Sequence, residues 1–177
     1  MKPIGPLMWE HRIIERMVKL LEKELIQIKK TDEVNTTLLL AGVDFFKTYA
    51  DRTHHGKEED ILFRDLATKE LSPVHKKIMN NLVEGHVFAR KTVRVLLDAS
   101  NSFAHGNKQS LKDVISALET LVALYPRHIH TEDKEFFYPC MEYFNTQEQE
   151  SMLQEFYEFD KKMIHEKYTK MVQDLET

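Results

Sequence analysis

The sequence holds a single cysteine, Cys140, in 177 residues, so it has neither a disulfide framework nor a cysteine-based metal site. No apolar run approaches the ~20 residues that a membrane span needs, and no signal-peptide pattern opens the sequence. Neither sign of charge dominates. The 25 Lys and Arg against 29 Asp and Glu leave −4, which gives no basic footprint for nucleic acid. Glycine and proline number five each, and no segment sustains the period-two alternation of a strand. With nucleic-acid, membrane and disulfide-scaffold classes set aside, what remains is a cytoplasmic, all-α chain. Its length fits one compact domain, residues 1–177, with a real core.

Polar breaks fall at 29–35, 68–73, 104–108 and 145–146 and divide the chain into five helices, about 5–30, 36–66, 73–104, 108–143 and 147–174. Ser72 before Pro73 reads as an N-cap with proline at the first helical position, and Thr146 before Gln147 and Glu148 reads as a second helix start. The first four helices carry apolar stripes stepping by four and three, the pattern of an interior-facing helix. They run Leu7, His11, Ile14, Val18, Leu21, Leu25, Ile28; then Val43, Phe46, Ala50, His54, Glu58, Ile61. The third and fourth run Met79, Leu82, His86, Ala89, Val93, Leu96; then Val114, Leu118, Leu121, Tyr125, His128, Glu132. These stripes predict a four-helix bundle over residues 5–143. The fifth helix, with Leu153, Tyr157, Ile164, Tyr168 and Leu175 on one side, is expected to pack on that bundle or to support a homodimer.

Six metal-competent side chains lie on those core-facing stripes: His11, His54, Glu58, His86, His128 and Glu132. Their order repeats almost in register, with 75 residues from His11 to His86, 74 from His54 to His128 and 74 from Glu58 to Glu132. An ionised carboxylate buried without a partner is strongly destabilising. Two cations would satisfy all six groups. His and Glu at i and i+4 share a helix face, and each carboxylate has two oxygens with which to bridge two ions. Imidazole with carboxylate and no thiolate suits iron, manganese or zinc. The stripes favour His54 over His55, Glu58 over Glu59 and His128 over His130. They favour Glu132 over Asp133, with Asp133 in reserve because a local bulge in the helix would shift the phase by one residue; Pro126 makes such irregularity reasonable. His55 and Tyr125 are candidates for orienting a ligand. His75, His105, His130 and His165 are read as structural.

The segments WEHRIIERMVKLLE, HHGKEEDILF, VEGHVFARKTVRVLL and HIHTEDKEFFYP resemble the motif helices of hemerythrin-like, HHE cation-binding domains. The resemblance spans about residues 5–143 and leaves the fifth helix outside. It implies an up-down-up-down four-helix bundle around two iron ions, with manganese or zinc ranking below iron. His11, His54, Glu58, His86, His128 and Glu132 would be the ligands, Glu58 and Glu132 bridging. The implied partner is a small diatomic or peroxide ligand. The oxygen carriers of the family have a second histidine one turn from the third-helix ligand, where this chain has Leu82 and Arg90. With four histidines, both irons are expected to keep open positions, which argues against a simple carrier. The carriers also place an Asp five residues after the last His, the position of Asp133. A non-catalytic iron-binding or iron-sensing module, whose metal mainly stabilises the fold, is the second reading.

Overall fold

In a computed structural model, residues 2–176 are described, with side chains for residues 2–165 and Lys167. Five helical stretches and no strand are present among them. Helix α1 is Ile4–Thr31, α2 covers 36–66, α3 is Pro73–Ala104, α4 covers 111–140 and α5 is Thr146–Glu176. The expected fourth helix, 108–143, is shorter at both ends, because Lys108–Ser110 and Met141–Tyr143 wind as tight 3₁₀ turns. Ser72 caps α3 by accepting from the His75 N–H, with Pro73 at the first position. Gly106 closes α3 with φ +93°, a conformation that side chains rarely allow. The cap of α5 is one residue earlier than expected. The Asn145 side chain accepts from the Glu148 N–H while the Glu148 carboxylate accepts from the Asn145 N–H, a reciprocal capping box.

The helices α1 and α4, α3 and α4, and α2 and α3 pack along their lengths, and α1 also meets α2. Every stripe residue listed for α1 and α2 is buried, and so are those of α3 and α4 apart from the partly buried Met79 and His128. The apolar interior falls into two clusters. One centres on Ile14, Leu21, Phe46, Leu96 and Leu121; the other on Leu7, Leu62, Phe136, Phe137 and Cys140. The polar residues of the stripes lie between them in sequence along every helix. No helix is long and apolar enough to cross a membrane among the described residues.

The helix α5 packs on the second cluster through Met152 and Phe156, which are buried, and Phe159. Tyr157 and Ile164 stay exposed, while Met152, Phe156, Phe159 and Met163 make the equally regular inward face. The expected Tyr168 and Leu175 lie outside the described side chains.

Two of the helices change pitch. In α2 the segments Phe46–His55 and Glu58–Phe63 are π-helical, and in α4 so is Glu132–Phe136. A π turn spaces its hydrogen bonds at i to i+5 and shifts the phase of everything beyond it. Consecutive residues can then both face the interior. His54 and His55 are both buried, as are Lys57 with Glu58 and Glu132 with Asp133.

Candidate metal centre

All six residues of the repeated pattern converge between the two apolar clusters. Two groups form. His11, His54, Glu58 and Glu132 make the first, all buried; His55, His86 and His128 make the second. Within each group one ligand atom per residue lies within 4.8 Å of the others. The Nε2 atoms of His11 and His54 are 2.9 Å apart, and those of His86 and His128 are 2.8 Å apart. Two nitrogens bound to one ion at ~2.1 Å and near a right angle would be separated by roughly 3 Å. The spacing therefore suits two adjacent ligands of a single ion in each group.

The two glutamates sit between the groups. Glu58 turns Oε1 towards His54 Nε2 at 3.4 Å and Oε2 towards His86 Nε2 at 3.4 Å. Glu132 turns Oε2 towards His11 at 3.2 Å and Oε1 towards His128 at 3.0 Å and His86 at 3.7 Å. All four carboxylate oxygens are buried, and none has an aligned hydrogen-bond partner. An orphaned buried polar atom costs about 1–3 kcal/mol, more when charged, so four of them in one place call for a cation. The donor set of imidazole and carboxylate suits iron, manganese or zinc.

Carboxylates lie behind most of the histidines. His11 Nδ1 meets Asp133 at 2.8 Å, and Asp133 is in turn held by Arg12. His54 Nδ1 meets Glu10 at 2.8 Å, and Glu10 is paired with the fully buried Lys57. His86 Nδ1 meets Glu59 at 2.7 Å, while His55 Nδ1 is 3.4 Å from Asp51. Arg90 joins those two acids, 2.7 Å from each. When Nδ1–H donates to a carboxylate, the tautomer is set and the Nε2 lone pair faces the centre. His128 differs. Its Nδ1 lies against Gly85, where a Cβ would come within 3.0 Å, so the glycine makes room for the ring.

Glu10, Asp51, Glu58, Glu59, Glu132 and Asp133 thus outnumber Arg12, Lys57 and Arg90 around the histidines. In the metal-free protein, protons redress this. Burial and the adjacent Glu132 carboxylate push Glu58 well above the carboxylate range. Burial works against Glu132 as well, but His128, His11 and His86 outweigh it and hold Glu132 well below that range. The pair accordingly shares its titration, with Glu58 protonated first. Burial alone would lower His11, yet Asp133 and Glu132 raise it to about 9. Burial lowers His54 to about 4 and takes His55 well below its usual value.

Sequence reasoning singled out Glu132 with Asp133 in reserve, and the geometry separates them. Glu132 points between the two groups; Asp133 stands behind His11. His55 was expected to orient a ligand, but it joins the second group, its ring stacked on His86 with centroids 3.8 Å apart. Tyr125 reaches His55 by ring stacking at 6.5 Å. Glu10, Lys57, Asp51, Glu59 and Arg90 were not anticipated as parts of the site; the only sequence signal was the doubling HH and EE in HHGKEED. Neither group includes His75, His105, His130 or His165. His75 bonds the Tyr143 hydroxyl and His105 the Asn101 carbonyl.

The second group lies nearer the surface. His55 and Tyr125 help line a cavity of about 550 Å³ whose walls include Phe46, Ala89 and Arg90. The first group faces packed aromatics, with Phe137 stacked on His11 at 5.7 Å.

A family model, the Hemerythrin HHE cation binding domain, matches residues 3–140. No curated protein and no solved structure matches the chain.

Proposed function

The chain belongs to the hemerythrin HHE cation-binding domain family, and from that premise we propose a non-haem di-iron protein that binds or reacts with dioxygen, nitric oxide or peroxide. The observation that carries the proposal is the set of four buried carboxylate oxygens on Glu58 and Glu132, without hydrogen-bond partners and turned in pairs towards two histidine groups. His11 and His54 would hold one ion; His86, His128 and His55 would hold the other; Glu58 and Glu132 would bridge them. The first four helices would run alternately up and down around the pair. Manganese and zinc fit the same donors, and iron ranks first because the family favours it.

Iron held there supplies a redox-active pair open to a small molecule. The protein's own part is to position and to exclude. Asp133, Glu10 and Glu59 fix the rings of His11, His54 and His86. Phe63 and Phe137, packed against His86 and His11, keep bulk water out. Counting donors, an ion at His11 and His54 would have two imidazoles and the other, with His55, would have three. The position left for a small ligand would then be on the more buried ion. The partner would be a small diatomic or peroxide molecule, and the setting a cytoplasmic one.

Anaerobic reduction of the iron-loaded protein, followed by dioxygen, nitric oxide or peroxide in turn, tests the proposal. A reversible visible-spectrum change indicates a carrier or sensor, and turnover an enzyme. The alternative, a module whose metal chiefly stabilises the fold, draws on the complete burial of the first group. It prevails if no reagent changes the spectrum while iron removal unfolds the bundle.

A further inference from the structure

Lys57 is the most deeply buried cationic side chain described, with no exposure at all. A buried ammonium is stable only when paired. Its two partners come from opposite directions. One is Glu10 on α1, which also accepts from His54 Nδ1 at 2.8 Å. The other is Asp160 on α5, 2.7 Å away. The backbone makes room for this helix at the same place. A Cβ on Gly56 would lie 2.7 Å from the Phe159 ring, so this ring would have to shift for any other residue there. The Phe156 ring lies 5.9 Å from the Lys57 ammonium, close enough to shield it from water. Asp160, Lys57, Glu10 and His54 thus form one continuous polar chain from α5 to the first histidine group. Its outer end lies beyond the segment 3–140 that the family model matches.

We propose that Asp160 is a positioning residue for the metal centre, acting through Lys57 and Glu10 to hold His54 in its binding orientation. The inference rests on the metal reading of the preceding section. With Asp160 ionised, the Lys57 charge is shared between two carboxylates, and Glu10 keeps enough negative charge to accept strongly from the His54 ring. With Asp160 neutral, Lys57 bears on Glu10 alone. Glu10 is then drawn towards the ammonium, its hold on His54 Nδ1–H weakens, and the ring presents a poorer Nε2 to the ion. Replacing a residue behind a metal ligand commonly lowers affinity ~10- to 100-fold. Asp160 acts one group further out, so the effect belongs at the lower end.

The test is a cobalt(II) titration of the full-length protein, with the two binding steps assigned to the two groups by His54→Ala and His128→Ala. Asp160→Asn should weaken the ion at His54 by about 10-fold and alter its visible absorption. The other ion should not move, the metal-free urea midpoint should fall by no more than the loss of one partner of Lys57 accounts for, and Asp160→Glu should recover most of the affinity. Unchanged affinities in Asp160→Asn would overturn the inference while leaving the two-ion reading intact. Equal weakening of both ions, in step with lost metal-free stability, would also overturn it, since Asp160 would then be scaffold only. Failure of the unmodified protein to take up cobalt would remove the metal reading and this inference with it.

Discussion

The two histidine groups share two glutamates yet are built differently. His11 and His54 are wholly enclosed and are each backed by a carboxylate that is itself tied to a cation. His55, His86 and His128 lie beside a cavity, share one arginine between two backing acids, and leave His128 Nδ1 against a glycine. The group nearer solvent has the larger number of imidazoles. Exposure and coordinative openness therefore run in opposite directions. On the di-iron reading, the open position would lie at the wholly buried histidines, which would favour diatomics and peroxide over larger species.

The largest effect should come from the groups common to both halves. Glu132→Gln and Glu58→Gln should each lose both ions, because either change removes a charged bridge. Metal analysis that finds one full-strength ion in either variant would mean that the halves are independent. Next come the two halves taken singly. His54→Ala should release the enclosed ion and lower the stability of the metal-loaded protein by ~4 kcal/mol, the linkage expected when free metal is about a thousandfold above its dissociation constant. His128→Ala should release the other ion at smaller cost to stability, since its surroundings are looser. His105→Ala serves as the control and should change neither. Chemical denaturation with metal analysis reads all three.

His55→Ala should have a milder consequence. It leaves His86 and His128 in place, so both ions should remain, the second held about 10-fold less tightly. It also opens a position facing the cavity, and azide should then bind an ion that it does not reach in the unmodified protein. No change in azide binding would mean that His55 only stacks on His86. The smallest effect is one of pH. His11 is raised to about 9 in the metal-free protein, above the ~6.5 of an unfolded histidine. Its contribution to metal-free stability is fully present below about 6.5 and is lost as pH rises through about 9. Metal must displace that proton, so affinity for the enclosed ion should rise with pH up to about 9 and proton release should accompany loading. Affinity that does not vary across that range would show that His11 stays outside the coordination.

Much of this was readable from residue order. The helix limits of α1, α2, α3 and α5 agree within a residue or two with the breaks in polarity, and Ser72 does cap α3. The residues His11, His54, Glu58, His86, His128 and Glu132 converge because each lies on a stripe that the core requires. What the stripes could not show was the π turns. A periodic rule assigns one of two neighbours to the interior, and the wider turns at 46–55 and 132–136 admit both. His55 was given only an orienting role for that reason, and Asp133, kept in reserve against such a bulge, is buried beside Glu132. The roles of Glu10 and Glu59 behind the histidines were hidden for another reason. Their partners His54 and His86 are 44 and 27 residues away in sequence, and no local pattern signals such a pairing. On α5 two apolar rows are equally regular, and only contact with the second cluster shows that Met152 and Phe156 belong to the inward one.

The central claim is that Glu58 and Glu132 join two cation sites in one bundle. Its most direct test is the iron-to-protein ratio of protein loaded anaerobically with iron(II) and freed of excess metal, taken with the magnetic behaviour of the oxidised product. Two irons per chain are expected, coupled magnetically through their shared bridges. One iron per chain, or two that behave as isolated ions, would contradict it.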